Sequence, residues 1–438
     1  MFRDRFGWNG RCLARAGVAV GICLALIFLV EATTADDWPA WRGPRGDGTC
    51  LEKGLPTRWS AVENVAWKVP LPERGNSTPI IWGERIFVTQ ALEQQHRRTL
   101  ICFDRRDGRQ LWQQGTDWKE PDPTHGTNPY CASSPVTDGE RVIAWFGSAG
   151  LFCYDMQGKE LWRRELGTQK HIWGYGASPV LHDDLCYLHF GPGDGSFLIA
   201  LDKKTGATVW KHDEPINRQG TAEAKFASVD YHGSWTTPII REVEGRQELL
   251  ISFPFRLCGL DPRTGKEYWT CSGINPLVYT SPLFSDGIIV GMGGFNGMTI
   301  ALRAGGNGDI TADRRLWRHP KTKQRIGSGV IHEGHIYIHN DPGIAECFNL
   351  SSGELVWEQR LDGGTNWSSL MLANGLCYSI TQRGDCFVFR ASPTFELVAK
   401  NSLGEAELSN ASVAPSNGQL FLRTHQHLWC IGQRTPPP

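Results

Sequence analysis

The residues of this chain best suited to recognition chemistry are aromatic rings and amides set at one recurring place. Directly before a pair of small residues stand Asn76, Ala132, Gly176, Trp235, Tyr279, Ile326, Trp367 and Asn410. Tyr130, Trp173, Tyr175, Tyr231, His232 and Asn366 lie close to them in sequence. Rings with interspersed amides around one concavity can stack on a flat ligand or a sugar, or anchor a peptide. The opposing reading is that the same rings fill the axis of a closed repeat and cap its core. The candidate binding set is Trp173, Tyr231, His232, Trp235, Tyr279, Asn366, Trp367, Asn76 and Asn410.

No catalytic set accompanies these residues. His425 and His427 alternate on one predicted strand, and His332, His335 and His339 surround a predicted hairpin. Neither group has Cys or carboxylate partners at metal-ligand spacing, so no metal site is expected. The loop Asn307-Gly308-Asp309-Ile310-Thr311-Ala312-Asp313 lacks the closing Glu of a calcium loop. Gly291-Met292-Gly293-Gly294 opens no helix and so forms no phosphate cradle. Gly-x-Ser-x-Gly, His-Glu-x-x-His and Cys-x-x-Cys-His are absent. No residue is assigned as catalytic.

The elements that position the candidate set follow from a repeat. Thr78, Ser134, Ser178, Thr237, Ser281, Ser328, Ser369 and Ser412 each follow another small residue, and they recur about every 48 residues. A turn follows each, as in Asp138-Gly139 or Asn374-Gly375, and supplies the positive φ that tight hairpins need. An apolar strand comes next, and then a third strand that runs through an Asp turn to a tryptophan. Leu198 through Trp210 is the cleanest copy, with Asp202 and Thr205-Gly206 in the turn. Trp112, Trp162, Trp210, Trp269, Trp317 and Trp357 close the copies, each large enough to fill the gap to the next unit. These units predict an all-β, eight-bladed propeller of four-stranded antiparallel blades, starting near residues 77, 133, 177, 236, 280, 327, 368 and 411. The hydroxyls should begin the innermost strands, where only small side chains fit.

The eighth copy lacks its tryptophan strand, whereas residues 64–69, with Trp67, form such a strand with none before it. That N-terminal strand is expected to complete the last blade. Blade seven has no tryptophan in Thr394 through Ala399.

Residues 1–35 read as a secretory signal: Arg3, Arg5, Arg11 and Arg15, an apolar run from Ala16 to Val30, and the small-residue site Thr33-Thr34-Ala35. Cys23 lies inside the apolar run, which argues against lipidation. The run is short for a membrane span, so an uncleaved anchor is the alternative to cleavage and no stable insertion is expected afterwards. Residues 36–435 then form one propeller domain, exported to the periplasm or the exterior. A formal charge of −1 advertises no basic face for nucleic acid. Cys102, Cys153, Cys258, Cys347 and Cys430 are placed in one small slot of the third strand, which Ala200 and Ala301 occupy elsewhere. Cys50, Cys131 and Cys271 fall outside repeat slots, so a disulfide between two of them is open.

The Ala-Asp-Gly-Trp phrase resembles the tryptophan-docking repeat of the pyrroloquinoline-quinone (PQQ)-like propeller superfamily over nearly all of residues 38–432. The opening Trp38-Pro39-Ala40-Trp41-Arg42-Gly43-Pro44 is similar to the start of exported bacterial proteins with this repeat. The resemblance implies either a BamB-type binding scaffold or a quinoprotein dehydrogenase that uses PQQ and calcium. The dehydrogenases carry an adjacent Cys-Cys pair, and this sequence has none. The reading carried forward is an exported, non-catalytic scaffold that takes a protein or small ligand on its loop face, with no cofactor expected. A PQQ-dependent oxidoreductase is the alternative, and a carbohydrate-binding module the third reading.

Overall fold

The computed structural model describes residues 37–214, 232–295 and 297–433. The chain divides into two units, Met1–Thr34 and Ala35–Pro438. The predicted secretory signal lies outside the described residues, as does Tyr231. No helix among the described residues is long and apolar enough to cross a membrane.

The strands form eight antiparallel blades around one axis, an eight-bladed β-propeller. Blade three is typical: Val180–His182, Leu185–Phe190, Phe197–Asp202 and Thr208–Asp213 run from the axis outward. The turn before its outer strand is set by Asp202, whose carboxylate accepts from the N–H groups of Lys204 (3.0 Å) and Thr205 (2.8 Å).

The hydroxyls at the starts of the inner strands join the blades directly. The N–H of Thr78 donates to Ser134 Oγ (2.8 Å), that of Ser134 to Ser178 (3.0 Å), and that of Ser178 to Thr237 (2.9 Å). Thr237 donates to Ser281 (3.0 Å), Ser281 to Ser328 (3.0 Å) and Ser328 to Ser369 (2.9 Å). Ser369 donates to Ser412 (3.0 Å), and Ser412 returns to Thr78 (3.0 Å). The circle is closed and runs in one direction. It explains why the repeat demands Ser or Thr: each side chain satisfies a buried amide of its neighbour.

Outward of this circle, tryptophans bind most blades to the next. The indole N–H groups of Trp112, Trp162, Trp210, Trp317 and Trp357 donate to backbone carbonyls of Met156, Lys203, Pro262, Leu350 and Ser392 in the following blade. Opposite these rings, across the sheet, sit Cys102, Cys153, Ala200, Ala301 and Cys347. A ring of this size needs a small neighbour, which accounts for the Cys-or-Ala slot.

Blade four departs from the expected pattern. Gly259, not Cys258, faces Trp269 across the sheet, and Cys258 pairs with Thr270. Trp269 turns into its own blade and donates to Glu248 Oε2 at 2.7 Å. A Cβ at Gly259 would lie 2.3 Å from that indole nitrogen, so the slot is empty of a side chain for a steric reason. A short strand, Gly308–Asp309, adds to the edge of this blade in parallel with Trp269 and Thr270.

Val65–Pro70 pairs with His427–Ile431 and completes blade eight as expected. Trp67 is 7% exposed and donates to Arg105 O of blade one at 2.9 Å. Two buried arginines tie the same seam: Arg105 reaches Ser416 O (2.7 Å), and Arg423 reaches Thr89 O (2.7 Å) and Gln90 Oε1 (2.8 Å). In blade seven Ala399 takes the tryptophan position opposite Val388. Trp59, from the segment before the closing strand, packs in one buried cluster with Val388, Ala399 and Leu420 and supplies the missing bulk. All eleven described cysteines are free and buried, so neither Cys50, Cys131 nor Cys271 forms the disulfide left open by the sequence. They belong to different blades, and burial pushes the Cys131 thiol up to about 12.

Candidate functional site

The inner strands open onto a cavity of about 420 Å³ on the axis. All eight residues that precede the small pairs line it: Asn76, Ala132, Gly176, Trp235, Tyr279, Ile326, Trp367 and Asn410. Five members of the hydroxyl circle form the wall below them: Thr78, Ser134, Ser178, Ser369 and Ser412.

The base is made by a segment with no counterpart in the repeat. Trp38 pairs with Ile81 of blade one, Pro39 O accepts from Thr137 N of blade two, and Arg42 donates to Ser328 O and Gly329 O beside blade six. Thr49–Cys50 then adds in parallel to Met371–Ala373 of blade seven. This strap crosses from one side of the ring to the other. Trp41 on the strap lines both the axial cavity and a second one of about 360 Å³ beneath, and so stands between them.

The rim is uneven. On one side Trp235 stacks on Trp173 (6.0 Å between centroids) and meets Tyr279 edge-on (5.0 Å). His171 packs edge-on against Trp235 (4.8 Å), and the Trp235 indole donates to Gly174 O (2.9 Å). On the other side Asn76 and Asn410 both donate to Thr127 O, at 2.9 and 3.0 Å, and Gln382 holds Asn410 at 2.8 Å. The amides are thus fixed in orientation before any ligand arrives. Trp367 completes the rim beside them.

Two expected rim residues face elsewhere. Asn366 is fully buried and donates to His339 O and Ser368 O, both at 3.0 Å, so its amide braces the chain entering blade seven. His232 is 1% exposed and packs edge-on against Phe255 at 5.4 Å. Sequence position places a residue near the mouth but not which way its side chain turns. Trp41, His125, Thr127, Asn128, Phe295 and Gln324 line the cavity without having been singled out. Of these only Trp41 had a signal, the Trp-Pro-Ala-Trp opening.

Apart from the exposed His125, the lining is made of uncharged side chains. Among the described residues it contains no Lys, Arg, Asp or Glu. PQQ is a polycarboxylate, and a cavity wall without cations would leave those charges uncompensated. Calcium takes carboxylate and carbonyl oxygens, and the wall offers no carboxylate. No group of three or more His, Cys, Asp or Glu among the described residues is placed to hold a metal. The residues present do not fit a quinone–calcium pair.

The eight blades, the tryptophan seams and the Asp turns together define a PQQ-like repeat propeller. The family described as outer membrane protein assembly factor BamB matches residues 57–171 and 96–359, and the chain belongs to that family. BamB from Moraxella catarrhalis is similar in structure, with a TM-score of 0.60 at 14% identity over 85% of this chain and 98% of that one. Quinohemoprotein alcohol dehydrogenase ADHIIG from Pseudomonas putida HK5 gives 0.63 at 11% identity, over 92% of this chain and 82% of that one. The corresponding enzyme from Comamonas testosteroni gives 0.61 at 13% identity with the same coverage. Identities this low establish the fold alone. No curated protein matches the sequence.

Proposed function

We propose that this chain is an exported, non-catalytic scaffold that holds a protein segment or a small uncharged ligand at its axial mouth. The observation behind the reading is a lining without Lys, Arg, Asp or Glu, an aromatic and amide rim above a cavity that Trp41 floors. Such a site offers stacking surface and fixed hydrogen-bonding groups, and its one imidazole, His125, is exposed, pairs with Thr127 Oγ1 at 2.8 Å and has no carboxylate or thiol beside it on the lining. Family membership is compatible with this role, and the signal-like residues 1–35 motivate the export part of it. Removal of the signal is checked by the N-terminal mass of protein recovered from the periplasm or medium, which should begin near residue 36. The binding role is checked against the oxidoreductase alternative by visible absorption. Adding PQQ and calcium to purified protein should leave the quinone spectrum unchanged and should support no dye-linked alcohol oxidation. A shifted spectrum that saturates at one quinone per chain would replace the scaffold reading with the enzyme.

A further inference from the structure

We infer that the axial cavity binds an uncharged sugar ring, a neutral pyranose or the end of a neutral glycan. The inference rests on the scaffold reading above and names the ligand of that site. A hydroxyl has one proton to donate and two positions that accept. Each member of the circle already accepts the neighbouring N–H. Among the described residues, none of the five on the cavity wall donates its own proton to a protein acceptor. These five are nearly inaccessible, at 1% for Thr78, 2% for Ser134 and Ser178, 3% for Ser369 and 6% for Ser412. Buried hydroxyl protons normally find an acceptor. Here blades one, two, three, seven and eight each bring one such hydroxyl to the lining of the same cavity.

The arrangement selects among ligands. Donors on five blades are spread around a circumference, so no single small ion reaches them together. A carboxylate or phosphate would enter a wall with no Lys or Arg to meet it. A pyranose carries neutral oxygens around its whole edge, which suits donors arranged in a ring. Its hydroxyls can donate back to the amides of the rim, and Gln324 on the lining has a side chain with no protein partner among the described residues. Its apolar faces suit the rings above and below, Trp367 and Trp235 at the rim and Trp41 at the base. The volume of about 420 Å³ is near the lower end of ligand-sized clefts, about 300–1,000 Å³, and suits one or two sugar rings. Water alone would satisfy the hydroxyls but makes no use of the aromatic floor and rim.

The test is calorimetric titration, with tryptophan emission followed in parallel, of the signal-free protein. The probes are neutral sugars (glucose, galactose, mannose, N-acetylglucosamine and their β-linked disaccharides), glucuronic acid, and an uncharged acetyl-Phe-Trp-amide peptide. At least one neutral sugar should saturate the site, and glucuronic acid should bind at least tenfold more weakly. Ser134→Ala should weaken that sugar about tenfold, and Ser134→Thr should restore it. Should Ser134→Ala fail to fold, Trp367→Ala on the rim should give the same loss with an unchanged melting temperature. Glucuronic acid binding as tightly as the neutral sugars would overturn the inference. Peptide binding with every sugar silent would overturn it too, yet would leave the scaffold reading standing. Silence from sugars and peptide alike would remove both.

Discussion

Two positions only two residues apart behave in opposite ways around this ring. The inner-strand hydroxyl is Ser or Thr in every blade, whereas the residue two places before it is Asn, Ala, Gly, Trp, Tyr, Ile, Trp and Asn in turn. The first position serves the neighbouring blade and must do the same thing eight times. The second faces the cavity and is free to differ. Repetition marks what holds the propeller together, and its breakdown marks where the molecule meets something else. The seams and the rim should therefore respond differently to the same kind of substitution.

The largest effect is expected at the closing seam. Trp67→Ala removes the ring that fills the gap between blades eight and one and the hydrogen bond to Arg105 O. A large-to-small change of this type costs on the order of 3–5 kcal/mol. Chemical denaturation should show that loss, together with proteolysis near the N-terminal strand. A change below about 1 kcal/mol would mean that the seam is held by Arg105 and Arg423 instead.

Acid should also act on the seams. His189 and His339 are buried between blades, against Phe253 and Ser379. Burial lowers their pKa from 6.5 to about 4 and to about 3. Above pH 6.5 both are neutral whether the chain is folded or not, and they contribute nothing to pH dependence. As pH falls below 6.5 the unfolded chain binds protons that the folded one cannot, so stability declines until the folded values are reached. The slope for each rises toward about 1.4 kcal/mol per pH unit as pH falls well below 6.5, so the pair loses roughly 2 kcal/mol between pH 6.5 and 5.5. Urea titrations at pH 7.0, 6.0 and 5.0 should show the decline, and His339→Gln should flatten it. A pH-independent midpoint would show that both rings are protonated in place.

Within the hydroxyl circle, Ser178→Ala leaves the Ser134 N–H without its acceptor. A buried donor so exposed costs about 1–3 kcal/mol, and Ser178→Thr should recover most of it. Equal stability of the Ala and Thr variants would show that water replaces the hydroxyl and that the circle is not a structural requirement.

These contrasts also explain how much could be read from the residues alone. Blade number, the closing role of Trp67 and the ring of cavity-lining positions are properties of a period, and a period survives without coordinates. Trp59 could not be matched to the gap in blade seven, because it fills from outside the repeat the place where Ala399 stands. The repeat puts Cys258 in the small slot, whereas Gly259 stands there, and the inward turn of Trp269 explains why a side chain is excluded. Asn366 and His232 lie near the mouth in sequence but turn inward, since their orientation depends on which carbonyls and rings surround them. The floor at Trp41 depends on a strap whose path across the ring no local pattern encodes.

The smallest effect on stability, and the largest on recognition, is expected at the rim. Trp235 and Trp367 are both half-buried, and each faces the cavity from a position that the repeat does not constrain. Aromatic anchors in such pockets contribute a few kcal/mol to binding when desolvated by a partner. Replacing either by Ala should weaken ligand binding at least tenfold while the melting temperature stays within about two degrees of the parent protein. Trp235 carries an additional tie, its indole bond to Gly174 O, and stacks on Trp173. Its loss should therefore disturb stability slightly more than loss of Trp367, which donates to no group among the described residues. A melting temperature that collapses while binding per folded molecule is unchanged would assign these rings to the core, and the rim would then be one more seam.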